Sequence, residues 1–341
     1  MPEMSVIIVN WNGKHFLETC LTALRRQTFQ DFETILVDNG SKDESSEYVR
    51  THFPEVNLIA LGENRCFTGG NIAGYEQARG ELIVLLNNDT EADVRWLEEM
   101  HRAYQEYPKA GSFASKMLYF DERNCIDNCG FEVTAAALTV ELGRGEQDGP
   151  AWAEPRMVFG ACGGAVAYRR SMLEDIGFLD QDFFMVYEDL DLGFRAQLRG
   201  YECVFIPGAI VHHRLGATRK KSPANNVFFS QRNIEFVYLK NMPLGLMLRS
   251  LPQRLLYEVG GAAYFFKKGA GKAFLEAKIE AVRRLPVVLR KRKEIQSRRT
   301  LTNGQLRALM QNHWLRLKWK KLWSAWRGPS QVDLRPRQSP S

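Results

Sequence analysis

Four stretches in the first ninety residues share one pattern, a short apolar run that stops abruptly at amides or carboxylates. Residues 5–9 run into Asn10-Trp11-Asn12-Gly13, and residues 33–37 run into Asp38-Asn39-Gly40-Ser41. Residues 56–61 lead into a segment, 62–71, that contains Asn64 and the pair Gly69-Gly70, and the run within 81–90 ends at Asn87-Asn88-Asp89-Thr90. Four to eight apolar residues bounded by polar ones suit a strand covered on both faces. Between the runs lie helix-length segments of mixed apolar and charged residues, 15–28 and 44–52. The order β-α-β-α predicts a parallel sheet with crossover helices. Open α/β sheets hold their ligands beyond the carboxyl ends of such strands, where Asp89 falls.

Asp89 suits a hard divalent cation, which prefers oxygen donors and commonly holds a diphosphate in turn. The same residues also suit an Asx turn with Asp89 or Thr90 capping the next helix. Gly69-Gly70 would let a backbone approach a ligand closely at a helix start. A nicotinamide-binding domain would show Gly-x-Gly-x-x-Gly directly after the first strand. Here that turn reads Asn-Trp-Asn-Gly, so the pattern points to a nucleotide but not to a dinucleotide.

The second half adds a glycine-rich approach to a strand, 158–168, then Arg169-Arg170-Ser171 and a short helix ending at Ile176-Gly177. Residues 183–187 lead into Glu188-Asp189-Leu190-Asp191-Leu192-Gly193-Phe194-Arg195. Carboxylates at a helix start are stabilised by its dipole, so capping accounts for part of this cluster. On a helix over 188–199, Glu188 and Asp191 lie near one face, while Asp189 points about 100° away from Glu188. At least two roles follow: a general base, and structural acids such as Asp191 holding Arg195 at the i, i+4 spacing.

Taken in order, Val9 to Asn12, Val37 to Ser41, Asn64 to Asn71, Leu86 to Asp89, Gly160 to Val166, Glu188 to Leu192 and Pro207 to Thr218 resemble an inverting family 2 glycosyltransferase of the GT-A fold. The nearest likeness is to the bacterial rhamnosyltransferase-like branch, and it covers roughly residues 4–240. The resemblance implies a mixed, mainly parallel sheet with flanking helices. It implies that Asn10 and Asp38 face the nucleoside and that Asn64 with Gly69-Gly70 flanks the diphosphate. Asn87-Asn88-Asp89 stands where the family has its metal-binding Asp-x-Asp, with Asn87 in place of the first acid. Asp189 would be the catalytic base, with Glu188, Asp191 and Arg195 in support. The spacing from Pro207 and to Thr218 favours His213 over His212 as a further metal ligand. An imidazole would tilt the preference from Mg2+ toward Mn2+. For Trp11 and Tyr187, core packing and base stacking both fit.

The charge is divided along the chain. Residues 1–240 carry 24 Lys/Arg against 35 Asp/Glu, whereas residues 241–341 carry 22 against 5. The division at 240/241 sets a catalytic domain, 1–240, before a basic, amphipathic helical region, 241–341. From Leu306 to Arg327 no proline or glycine occurs, and Leu315, Trp319, Leu322, Trp323 and Trp326 fall on one stripe, which suits an anionic membrane surface. Contact with another subunit or an acidic partner is the other reading. No nucleic-acid module is recognisable. The six cysteines show no Cys-x-x-Cys spacing and read as free thiols in a reducing compartment. With neither a signal-peptide pattern nor an 18-residue apolar stretch, the expected place is the cytoplasmic face of the membrane. The expected activity is transfer of a sugar, such as rhamnose from its thymidine diphosphate, to a lipid-linked saccharide of the bacterial cell envelope. The alternative is a nucleotide-sugar-binding or scaffold protein whose altered metal motif supports little turnover.

Overall fold

A computed structural model describes residues 1–214 and 223–311. The apolar runs form β1 (Met4–Asn10), β2 (Phe32–Asn39), β3 (Asn57–Leu61) and β4 (Leu82–Asn87), joined through α1 (Lys14–Arg25), α2 (Ser45–His52) and α3 (Cys66–Gln77). β1 pairs in parallel with β2 and with β4, and β2 with β3. The spatial order 3-2-1-4 reverses between β1 and β4, which opens a crevice over their carboxyl ends. Val6, Ile8, Leu36, Val84 and Leu86 pack with Leu17, Leu21 and Leu24 of α1 on one face, and Ile7, Ile35, Ile83 and Leu85 belong to the core of the other. Covering both faces removes the need for polar alternation in these runs.

Beyond β4 come β5 (Thr90–Ala92), α4 (Trp96–Glu106), β6 (Ala110–Tyr119) and β7 (Ile126–Asn128), then a separate two-stranded sheet of β8 (Phe131–Val133) and β9 (Thr139–Glu141). β10 (Arg156–Val158), β11 (Ala165–Arg169), α5 (Arg170–Ile176), α6 (Glu188–Arg199) and β12 (Glu202–His213) follow. The main sheet runs β10-β12-β6-β11-β4-β1-β2-β3, with β5 on β12 and β7 on β6. β11 lies antiparallel between β4 and β6, so the sheet is mixed. That insertion brings the glycine-rich segment 160–164 across the end of β4, where the Asn87 N–H donates to the Gly164 carbonyl at 2.8 Å.

Helix α6 is held between two cores. Its Leu192 and Ala196 join the sheet, while Leu190, Phe194 and Leu198 join a helical layer. That layer comprises α7 (Pro223–Asn241), α8 (Leu244–Lys267), α9 (Gly271–Arg283), α10 (Leu285–Arg298) and α11 (Asn303–Ala308). The shift in charge at residue 241 is not matched by a break in packing. Met242, Leu246, Ala281, Val288, Leu306 and Met310 are buried in the same cluster as Phe194. Lys240 of α7 and Lys291 of α10 both reach Asp180, at 2.6 and 2.5 Å. Leu315, Trp319, Leu322, Trp323 and Trp326 lie outside the described residues. Leu306, expected to begin their helix, belongs instead to α11, which starts at a Thr302–Gln305 capping box. Among the described residues no helix is long and apolar enough to cross a membrane.

Candidate active site

The amides that end β1 and β4 meet in the crevice. Buried Asn10 accepts from Asn88 Nδ2 through Oδ1 at 2.7 Å and donates to Ser41 Oγ at 3.3 Å. Gly13 makes room for this pair, since a Cβ there would lie 2.3 Å from Asn88 Nδ2 and 2.6 Å from Asn10 Oδ1. Trp11 is 39% exposed, so it is not a core residue. Tyr187 packs against the helical layer. Asp38 accepts from the Ser41 N–H at 3.1 Å and from the Ser46 hydroxyl, which shapes the loop between β2 and α2. Asn64 Oδ1 accepts from the Cys66 N–H at 2.7 Å and from Asn39 Nδ2 at 3.0 Å. Asn39, which the sequence did not single out, also accepts from the Arg65 N–H at 2.8 Å and so ties β2 to the start of α3.

The glycine pair requires a correction. Gly69 and Gly70 form no turn; both lie inside α3. A Cβ at Gly70 would meet Val9 Cγ1 at 2.6 Å, and one at Gly69 would meet Arg65 Cβ at 2.6 Å. Val9 and Arg65 occupy the side-chain direction of the two glycines, whose lack of a Cβ lets α3 pack closely on β1.

Asp89 and His213 are brought together by strand pairing. β12 runs antiparallel to β5, with His213 opposite Thr90, and the Arg214 N–H donates to the Asp89 carbonyl at 2.9 Å. His213 Nε2 stands 3.3 Å from Asp89 Oδ1, and its Nδ1 stands 2.8 Å from Asp127 Oδ2 on β7. Successive strand side chains point to opposite faces, which separates His212 from this contact. Asp127 is almost fully buried and pairs with Arg144 at 3.1 Å. Burial alone would lower the His213 pKa, yet hydrogen bonds to Asp127 and Asp89 raise it to about 9. Two adjacent ligands of a cation with bonds near 2.1 Å stand about 3 Å apart, so Asp89 and His213 fit a shared divalent ion. A carboxylate on the other imidazole nitrogen is the usual support for such a ligand. Among the described residues no three candidate side chains converge as ligands.

The three acids at the start of α6 separate by environment. Asp191 is fully buried and receives hydrogen bonds from Arg195 Nε at 2.8 Å and Asn241 Nδ2 at 2.7 Å, with Lys240 Nζ also at 2.7 Å. Arg195 donates in addition to the carbonyls of Ile176, Gly177 and Phe178, so the expected i, i+4 pair is a buried structural clamp. Glu188 is buried, whereas Asp189 is only partly so. Asp189 Oδ2 accepts from the Gly163 N–H at 3.0 Å and Oδ1 from the Leu190 N–H at 2.7 Å. The segment 160–164 thus touches the end of β4 at Gly164 and Asp189 at Gly163.

Phe184, Val186 and Tyr187, just before α6, have φ of 66°, 68° and 70°, a left-handed conformation costly for such side chains. Buried Asn233 of α7 donates to the carbonyls of Phe183, Met185 and Val186 at 2.8, 2.7 and 2.8 Å. Arg232 adds bonds to the carbonyls of Asp182 and Phe183. No local pattern marks this clamp, because its two sides are about fifty positions apart.

A mainly parallel sheet with polar strand ends at its switch point, facing an acidic helix start, is the arrangement of the GT-A fold. Staphylococcus aureus TarS 1–349 in complex with UDP-GlcNAc shares that fold, with a TM-score of 0.56 at 18% identity over 86% of this chain and 88% of that one. The Glycosyl transferase family 2 pattern matches residues 5–177, about half of the sequence, and the chain belongs to that family. It is similar to the N-acetylglucosaminyl-diphospho-decaprenol L-rhamnosyltransferase of Mycobacterium tuberculosis, 24% identical over 66% of this chain and 80% of that protein. It is also similar to the O-antigen biosynthesis protein RfbC of Myxococcus xanthus, 26% identical over 64% of this chain but only 18% of that much longer protein.

Proposed function

We propose that the chain transfers a sugar, with inversion, from a nucleoside diphosphate to a hydroxyl of a lipid-linked saccharide in cell-envelope glycan synthesis. The observation that carries the reading is the position of Asp189. It is the one partly accessible acid of the α6 start, and its carboxylate is held by the segment that also contacts the end of β4. An acceptor hydroxyl is a weak nucleophile near neutral pH, and Asp189 would take its proton as the new bond forms. Attack from the side away from the diphosphate inverts the anomeric carbon. Asn10, Trp11, Asp38, Asn64, Asn87 and Asn88 would line the donor site. Asp89 and His213 would hold a Mg2+ or Mn2+ ion, which would neutralise charge on the leaving diphosphate.

The kinship with a rhamnosyltransferase supports thymidine diphosphate rhamnose as the first donor to test and a polyprenyl diphosphate saccharide as the acceptor class. The basic C-terminal region supports work at the inner membrane surface. The test is incubation with a panel of sugar nucleotides, Mn2+ and a polyprenyl diphosphate N-acetylglucosamine acceptor. The expected result is a heavier lipid-linked product by mass spectrometry with an equal amount of nucleoside diphosphate. Donor binding without product or hydrolysis across the panel would support the binding-protein alternative.

A further inference from the structure

Helix α8 is amphipathic in the reverse of the usual sense. Leu244, Leu248, Leu251, Leu255, Val259 and Phe266 are 44–68% exposed. At 100° per residue these positions fall within about an 80° arc, which makes one seam along six turns. The opposite side carries polar groups into the protein. Buried Arg254 pairs with Glu235 at 2.7 Å and Glu258 at 3.0 Å, and buried Ser250 meets the Tyr238 hydroxyl at 3.1 Å. The neighbouring helix α9 exposes Leu275, Ile279 and Val282, again within one arc. Of the large exposed apolar side chains among the described residues, five precede residue 244 and thirteen fall between Leu244 and Leu309. Scattered exposed leucines are ordinary, but a seam of this length is not.

Charge decides what covers it. Between Leu244 and Arg284 the exposed charged residues are Arg249, Lys267, Lys268, Lys272, Arg283 and Arg284 against one acid, Glu276. A second copy of the chain would bring like charges together, whereas an anionic surface complements them. The helix has 24 residues, about 36 Å at 1.5 Å each, and is not apolar enough all round to span a bilayer. We propose that α8 lies flat in an anionic phospholipid surface, its leucine seam among the acyl chains and the basic residues of α8 and α9 at the phosphates. While the tryptophan stretch lies outside the described residues, the contact is thereby placed on α8, which the sequence did not single out. It deepens the functional reading above and rests on it only for the location of the acceptor.

The test is co-sedimentation of the full chain with vesicles of phosphatidylglycerol and phosphatidylcholine, and with phosphatidylcholine alone. Both Leu248 and Leu255 face solvent, so the double variant Leu248→Glu/Leu255→Glu should fold, and an unchanged melting temperature checks this. The wild type is expected to bind the anionic vesicles, and the variant at least tenfold more weakly, with donor hydrolysis unchanged in both. Equal binding by variant and wild type, or no wild-type binding to anionic vesicles, would overturn the proposal. So would a lipid-free wild-type dimer that the substitutions dissociate in sedimentation velocity, because the seam would then belong to a second copy. Absence of donor hydrolysis in both proteins would count against the transferase reading while leaving the vesicle result to be judged alone.

Discussion

At the scale of single residues, the acids of the α6 start show how burial divides identical chemistry. Asp191 has no access to a substrate, and its loss would leave Lys240 and Arg195 buried with fewer partners. Asp189→Asn keeps the shape of the side chain but cannot take a proton. Turnover should fall on the order of 10²–10⁴-fold while donor affinity by calorimetry stays within about twofold. Retention of a tenth of the wild-type rate would move the role elsewhere. Asp127 contacts His213 Nδ1 at 2.8 Å, and under the proposed metal role it would act through that imidazole. Asp127→Asn should weaken Mn2+ affinity by roughly 10–100-fold, since the imidazole loses the carboxylate that orients it. The measurement is the Mn2+ concentration needed for half-maximal nucleoside diphosphate binding; donor binding in chelator should not change. An effect of equal size in chelator would mean that Asp127 is merely structural.

At the scale of elements, the loop before α6 depends on α7. Replacing Asn233 by Leu removes the donor to three carbonyls that hold three left-handed residues, and each such residue costs about 1–3 kcal/mol. Asn233→Leu should lower kcat by at least tenfold with the donor KM within about threefold, and should shift the urea midpoint downward. A large rise in donor KM alone would show that the clamp serves the other side of the crevice. Such a clamp was not legible in the sequence, where Gln-Arg-Asn inside a helical segment gives no sign of its target. The strands β1, β2 and β4 were legible because both their faces are covered and their ends are abruptly polar, and the half-exposed edge strand β3 was legible from its apolar run alone. Helices α5 and α6 were legible from Gly177 and from the acidic start at Glu188. Strands β5, β7, β8, β9 and β10, each three residues long, carry too short a pattern to read. Yet β5 and β7 are what place Asp89 and Asp127 on the two sides of His213. Gly69-Gly70 also packs against β1, and glycine next to a phosphate and glycine next to a packed strand look the same in sequence.

At the scale of the whole molecule, the helical layer and the catalytic half are fastened through buried charge. Burial alone would raise the Asp180 pKa, but Lys240 and Lys291 hold it well below the usual carboxylate range. A depressed carboxyl contributes its stability fully above its unfolded pKa, near 3.9, and loses it as the pH falls through the folded value. Asp180→Asn should therefore be less stable than wild type at pH 7, with the gap in urea midpoint narrowing below about pH 4. A gap that stays constant down to pH 2 would show that these ion pairs contribute nothing net. The sequence marked residue 241 as a boundary by charge, whereas the core runs through it to Met310. A chain cut before residue 306 would lose Leu306 and Met310 from that core.

The exposed seam of α8 also has a thermal consequence. Removing apolar surface from water lowers the heat capacity, whereas phosphate contacts contribute little of that signature. Titration of anionic vesicles at several temperatures should give an attachment enthalpy that becomes steadily more negative on warming, and added salt should weaken binding without flattening that slope. Leu248→Glu/Leu255→Glu should flatten it. On the proposed attachment, cooling would weaken the leucine share of the hold first and leave the lysines and arginines, so chilling in high salt should release the protein from anionic vesicles more readily than either alone.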